Sequence, residues 1–385
     1  MRLIATCKLG LESLVAAELK RIEIEPEAVA DARVTFRGDF SAMARACLWL
    51  RTAERVLLEV GAFEAKTFDA LFEGVKALPW KQYLARDTFI HVNGKSAKST
   101  LFSVSDCQSI TKKAIVENLR AAYRTETLPE TGKEVIVEVG ILKDWVTLAL
   151  DPCGAGLSRR GYRTFNVAAP ISETLGAAIV LLSRYVPEQP FIDPMCGSGT
   201  MPIEAAMIAG NRAPGLNRAF AAEEWPFLPE NTFALAREEA CDAATNPKVD
   251  ILGSDIDVHS IDLCKKHAKK AGILVNWAVR PVRALASDKV GGVRLNTETR
   301  RVFVDGREVE LKNREYELLC FLMLHLDMVF SREELYERIW GLEAMGDNTT
   351  VAVHINRIRE KIEPDPSRPR YIQTVWGAGY RFKGQ

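Results

Sequence analysis

Phe191-Ile-Asp-Pro-Met-Cys-Gly-Ser-Gly-Thr200 reads as a short apolar strand, an acid at its carboxyl end and a tight glycine turn that opens a helix. In an open parallel sheet, ligands bind outside the carboxyl ends of the strands, where backbone N–H groups and a helix N-terminus face the crevice. Gly197 and Gly199 let the chain turn there and approach a ligand without a Cβ clash. Asp193 is placed to accept a hydrogen bond or to orient an amino group. A glycine turn alone is often only a strand–helix connection. Here a second apolar strand, Asp250-Ile-Leu-Gly-Ser-Asp255, also ends on an acid. A strand-end carboxylate suits a bidentate hydrogen bond to two ribose hydroxyls, so the combination points to a nucleoside-containing cofactor. No Gly-Lys-Ser/Thr follows this glycine turn, which argues against a nucleoside triphosphate there.

Composition sets the outer limits. The 385 residues suffice for two to four domains at roughly 100–150 residues each. Hydrophobic residues make up 47% and charged residues 26%, the balance of a globular protein with sizeable cores. The formal net charge is zero, so a nucleic-acid partner must be recognised through local clusters. The eight cysteines form no Cys-x-x-Cys and no Cys/His cluster, which favours reduced buried thiols, and no metal is expected. Lys8 and Glu12 come too early for a signal-peptide core, and no run approaches the ~18–20 apolar residues of a membrane span. A cytoplasmic protein with no membrane partner is expected.

Along the chain, residues 1–60 read as a small α+β unit, with a strand at Leu3–Thr6 and helices at Leu11–Lys20 and Phe40–Leu50. Residues 61–165 read as a second α+β unit, with a helix over Val104–Tyr123 and strands at Thr88–Val92, Val135–Val139 and Trp145–Leu150. Residues 166–275 alternate helix and strand, which implies βαβ units and a parallel sheet. Residues 276–290 read as a linker, although Leu274–Val279 also suits one more strand. From 291 to 385 come short strands with a type I′ turn at Asp305-Gly306. Helices follow near Asn313–Leu326, Ser331–Trp340 and Thr349–Glu363, then a hairpin over Tyr371–Phe382.

Residues 1 to about 273 resemble the THUMP-containing class I RNA methyltransferases that modify guanine N2 in large-subunit ribosomal RNA. The matching stretches are Leu101–Lys113, Leu157-Ser-Arg-Arg-Gly-Tyr-Arg163, Ala169–Leu175, Asp193–Thr200, Asn211–Asn217 and Gly253–Asp257. The resemblance implies S-adenosylmethionine as cofactor, with Asp193, Gly197 and Gly199 around its methionine and Asp255 on its ribose. It also implies an RNA-binding front half, in which Lys95, Lys98, Lys112 and Lys113 are candidate phosphate contacts. One departure matters more than the match. Members of this family continue to a further strand ending in an Asn-Pro-Pro-Tyr-like motif, which holds the exocyclic amine of the target base. This sequence has no Pro-Pro dipeptide, and Asn246-Pro247-Lys248 precedes the second strand. No catalytic residue is therefore assigned, and only weak or residual cofactor binding is expected.

The helix at 349–363 places Val351, Ile355, Ile358 and Ile362 on one stripe. Thr349, Thr350, His354, Asn356, Arg357, Arg359 and Lys361 are candidates for base or phosphate contacts on its other faces. Residues 293–383 resemble the winged-helix effector domain of OmpR/PhoB-type response regulators. The match runs through Val304–Leu311, Glu315–Leu319, Phe330–Leu335, Val353–Arg359 and Tyr371–Phe382. The resemblance implies that 349–361 is the recognition helix and 371–382 the wing, with Thr374, Trp376 and Tyr380 near the DNA backbone or minor groove. Trp376 stands where many relatives carry Arg, and Asn356 replaces a frequent Arg.

The expected fold class is thus multidomain, α+β and α/β: a ferredoxin-like and THUMP region, a truncated Rossmann-like methyltransferase sheet and a winged helix. The expected function is a fusion of an RNA-binding, cofactor-binding methyltransferase remnant with a sequence-specific duplex-DNA-binding module. An active methyltransferase relative, or a joined reading frame in which only the DNA module works, are the other readings. With strands missing beside it, the strand at 190–194 becomes a sheet edge, which invites self-association.

Overall fold

The computed structural model describes residues 1–163, 170–282, 292–296, 299–341 and 349–383. By packing, the chain divides into two units, Met1–Gly253 with Val258–Ala278 and Ser254–Asp257 with Val279–Gln385.

The first unit begins with β1 (Arg2–Cys7), α1 (Glu12–Arg21), β2 (Pro26–Ala30), β3 (Arg33–Arg37), α2 (Phe40–Trp49) and β4 (Ala53–Glu64). It continues with α3 (Phe68–Lys76), β5 (Phe89–Ala97), α4 (Val104–Tyr123), β6 (Glu134–Leu142) and β7 (Trp145–Leu150). All seven strands form one sheet in the order β2-β3-β1-β4-β7-β6-β5. β4 is the shared member: Leu58 lies opposite Leu3 of β1 and, on the other side, opposite Leu150 of β7. The boundary expected at residue 60 therefore falls inside a strand. β5 and β6 run parallel, and α4 forms the crossover between them. Its buried residues Cys107, Thr111, Ala114, Ile115 and Leu119 recur at helical spacing, so one stripe faces the sheet. Leu3, Phe36, Leu58, Trp80 and Val137 are fully buried in one large core here.

The chain then carries α5 (Glu173–Leu182), β8 (Phe191–Asp193), α6 (Thr200–Ala209), α7 (Thr232–Asp242), β9 (Ile251–Asp255), α8 (Val258–Ala271) and β10 (Asn276–Val279). β8 and β9 pair in parallel, Phe191 opposite Ile251 and Asp193 opposite Gly253. The order is β10-β9-β8. Residues 276–279 therefore extend the sheet instead of starting the linker, and residues 283–290 of that linker lie outside the described residues, as does Ala169. Much of the apolar packing in this part comes in small pieces. One holds Val180, Ala205, Ala206 and Ile251; another holds Tyr162, Ile203, Met207, Ala268 and Ala271. Among the described residues β8 ends the sheet, and Ile192 is 51% exposed.

Small clusters and a three-residue edge strand open at low cost. Native-state hydrogen exchange on the full chain is expected to show weaker amide protection over 170–282 than over β1–β7 or the C-terminal helices. Equal protection across all three would show that the short sheet is no weak point.

The second unit holds β11 (Val293–Asn296), β12 (Arg301–Val304) and β13 (Arg307–Val309), an antiparallel sheet in sequence order. Asp305 and Gly306 have φ of 48° and 85°, the paired left-handed residues that a type I′ turn demands. α9 (Asn313–Leu324), α10 (Arg332–Trp340) and α11 (Thr349–Ile362) follow, then the hairpin of β14 (Ile372–Val375) and β15 (Gly379–Phe382). Ser331 and Glu334 form a reciprocal cap at the start of α10. Val351, Ile355, Ile358 and Ile362 are buried in one cluster with Leu318, Leu322, Ile372 and Phe382.

Candidate cofactor turn and nucleic-acid faces

β8 delivers Asp193 to the start of the glycine turn, and its Oδ1 accepts the Met195 amide at 3.2 Å. Asp193 is buried, while Met195 on the turn is 71% exposed. Gly197 has φ +52°, and a Cβ there would meet nothing within 4 Å. That glycine serves the backbone conformation and leaves the space above the turn open. Gly199 has φ +84°, but a Cβ there would lie 2.8 Å from Trp277 and 3.0 Å from the Cys264 sulfur. It serves close packing beneath the turn, at the N-cap of α6.

α8 fastens this turn from below. The Cys264 thiol donates to the Gly197 carbonyl at 3.1 Å. His267 Nδ1 lies 3.1 Å from the Ser198 carbonyl, and since a carbonyl only accepts, Nδ1 carries the proton. Burial pushes the His267 pKa below its ordinary value, against the pull of that carbonyl, so the ring is held neutral. Neither residue was expected to serve the site. Their signal in the sequence is only their place on the buried stripe Ile261, Cys264, Ala268, Ala271 of a helix far along the chain. Asp255 ends β9, and its Oδ1 accepts the amide of Asp257, so the carboxylate is oriented by the turn that follows it.

The four lysines of the first unit divide. Lys95 and Lys98 are exposed on and just after β5, where Lys98 has φ +52°. Lys113 is exposed on α4, with its Nζ 5.7 Å from the Phe72 ring centre. Lys112 instead bonds Glu130 at 2.9 Å, so its charge is already matched within the fold.

In the second unit, Thr349, Asn356 and Arg357 are exposed on α11, and Thr350 is half-buried. His354 bonds back to the Thr350 carbonyl and packs edge-on against Trp340. Trp376 is 93% exposed at the hairpin tip. Three expected DNA contacts are placed otherwise. Arg359 is buried and donates to the Ile372 carbonyl and to Thr374 Oγ1, so it ties α11 to β14. Tyr380 is buried and pairs through its backbone with Phe330. Lys361 bonds the Glu315 carboxylate at 2.7 Å and the Glu310 carbonyl. The physical reasons differ: the Arg359 side chain and the Tyr380 backbone anchor the hairpin, whereas Lys361 ties α11 to the start of α9.

Four family models match successive stretches. They describe an RlmL ferredoxin-like domain at residues 2–57, a THUMP domain at 65–151, an RMKL-like methyltransferase domain at 160–294 and a transcriptional regulatory protein, C terminal, at 306–382. A Bacillus subtilis (strain 168) protein named "Putative RNA methyltransferase YpsC" is 45% identical over 274 residues, 70% of this chain and 71% of that protein. The chain belongs to the THUMP-containing RNA methyltransferase family. Two solved structures agree with this family placement. One is described as a "predicted N6-adenine-specific DNA methylase" from Listeria monocytogenes, 41% identical with a TM-score of 0.73 over 90% of this chain and 92% of that one. The other, SMU.472, is described as a methyltransferase complexed with SAH, 35% identical with a TM-score of 0.71 over 93% of this chain and 85% of that one. The names disagree about the acceptor, RNA in one and DNA adenine in another. This THUMP methyltransferase family member also carries the regulatory C-terminal domain, and its methyltransferase match runs past residue 273 to 294. Among the described residues no helix is long and apolar enough to cross a membrane, and no group of His, Cys, Asp and Glu is arranged to hold a metal.

Proposed function

We propose that this chain is a fusion in which a methyltransferase remnant, able to bind RNA and weakly to bind S-adenosylmethionine, is joined to a working sequence-specific DNA-binding module. One observation carries the reading. Among the described residues the three-stranded sheet runs β10-β9-β8 and ends there, and a regulatory domain occupies the chain from the next sheet onward. Among the described residues, no strand lies on the side of β8 where the family's base-holding strand belongs.

The residues at the turn fit the cofactor: Gly197 leaves open space above it, and a helix N-terminus begins at Thr200. Asp193, Gly197 and Gly199 hold the methionine part and Asp255 the ribose. When bound, the cofactor supplies an electrophilic methyl group. Lys95, Lys98 and Lys113 provide charge for ribosomal RNA. The exposed Ile192 and Leu182, 51% and 61%, support self-association at the β8 edge. A cytoplasmic location fits both nucleic-acid partners.

On the DNA side, Arg357 and Asn356 read bases from the exposed face of α11, with Thr349, Thr350 and Trp376 along the backbone. Full-length chain is expected to bind duplex DNA selected for tandem half-sites more tightly than random sequence, with affinity falling as salt rises. Arg357→Ala is expected to cost roughly 1–3 kcal/mol on the selected site and much less on random DNA. Fluorescence anisotropy across a salt series decides it. Sequence-blind binding, or an unchanged selected-site affinity in the variant, would refute the DNA-reading role.

A further inference from the structure

α1, α2 and α7 enclose a cavity of about 180 Å3 whose wall carries Arg21, Arg45 and Arg51. Arg51 is 4% exposed. Its Nη2 donates to the Arg212 carbonyl at 2.7 Å and lies 3.4 Å from that of Met207. Its Nη1 is buried with no hydrogen-bond partner. A buried cation with an idle donor is under-satisfied, because water has been removed and nothing replaces it. Burial pulls the Arg51 pKa down to about 10, Arg160 and Arg21 push it the same way, and Glu204 and Glu18 oppose them.

The carboxylates lining the cavity do not cancel this charge. Glu18 is committed elsewhere: Oε1 accepts the Arg51 amide, and Oε2 accepts the amide and hydroxyl of Thr52. Glu239 lies 3.1 Å from Arg45 Nε, but its side chain is 50% exposed, and a pair of that kind holds weakly. Three arginines thus face two carboxylates, of which one is occupied and the other displaceable.

We propose that this cavity binds a phosphate group between Arg21, Arg45 and Arg51. Planar guanidinium forks match the oxygens of a tetrahedral oxyanion in paired hydrogen bonds, and they keep their charge at any physiological pH. The phosphate sits between α2 of the ferredoxin-like match and α7 of the methyltransferase match, so its occupancy links the two. The chemistry is shared by free phosphate and by the phosphates of an RNA strand, and the test separates them.

Full-length protein is titrated with sodium phosphate against sodium chloride of equal ionic strength, read by calorimetry and by the thermal midpoint. Saturable phosphate binding with a raised midpoint is expected. Arg21→Gln/Arg45→Gln is expected to weaken it at least tenfold while leaving the midpoint in chloride unchanged. Glu239→Gln removes the competing carboxylate and is expected to tighten binding. Displacement of phosphate by a short RNA, more by its 5′-phosphorylated than its 5′-hydroxyl form, assigns the site to RNA. Phosphate binding that the RNA leaves untouched assigns it to free phosphate. No saturable binding, equal binding by the double arginine variant, or weaker binding by Glu239→Gln would overturn the proposal.

Discussion

Purified full-length chain given S-adenosylmethionine and ribosomal RNA is expected to incorporate no methyl group, and this is the largest effect that the proposed truncation entails. Enzymes accelerate reactions by typically 10⁶-fold or more, and much of that comes from holding the reacting atoms about 3–3.5 Å apart. In the function proposed above, the residues of β8, its glycine turn and β9 serve the cofactor alone. An exocyclic amine is a poor nucleophile, and its lone pair must be aimed at the methyl carbon by groups outside the base plane. The Asn-Pro-Pro-Tyr-like motif that serves this purpose in the family is absent, and Asn246-Pro247 lies before β9. Binding energy spent on the cofactor alone is uniform across the reaction and does not lower its barrier. Radiolabelled methyl transfer to RNA by the wild-type chain, lost in Asp193→Ala, would sink the remnant reading.

Arg160→Met is expected to destabilise the first unit by about 3–5 kcal/mol, the cost of leaving one member of a buried ion pair alone. Arg160 Nε lies 3.2 Å from Glu204 Oε1, with the two side chains 1% and 0% exposed. The same guanidinium donates to the Leu157 carbonyl at 2.9 Å and to the Arg51 carbonyl at 2.6 Å. Tyr162 adds its hydroxyl to Glu204 at 3.3 Å. One side chain therefore ties α6 to the segment after β7 and to the end of α2. Against a typical total of about 5–15 kcal/mol, such a loss leaves the unit marginal. Arg160→Met/Glu204→Met is expected to recover part of the loss, since no charge is then stranded. Urea unfolding followed by tryptophan fluorescence reports both, and a single variant within about 1 kcal/mol of wild type would show the pair to be idle.

Elements with a clean period were legible in the sequence. α4 and β7 lie at Val104–Tyr123 and Trp145–Leu150 as expected, because an apolar stripe and β-rich alternation each leave one assignment. The hairpin of β2 and β3 was not legible. β2 is an edge strand with four of its five residues exposed, so no buried face imprints a period on it. The stripe of α11 was read correctly, but Arg359 was placed with the outward residues. Periodicity sorts apolar from polar and says nothing of a polar side chain recruited inward by the bare carbonyl of Ile372. At the cofactor turn the acids and glycines could be read from local spacing. Cys264 and His267 could not, because their partners are backbone carbonyls distant in sequence and carbonyls have no residue type.

β4 also bears on how such chains are inherited. A module can be moved between genes only where the cut leaves both pieces with their ladders whole. A cut at residue 60 divides β4 itself, and it strips β7 of the partner that Leu58, Gly61 and Phe63 provide. Exchange among related genes is therefore expected to keep residues 2–151 together, despite their two family matches. Recombination is better tolerated beyond β7, and a joint near 283–292 leaves both that stretch and the C-terminal helices intact.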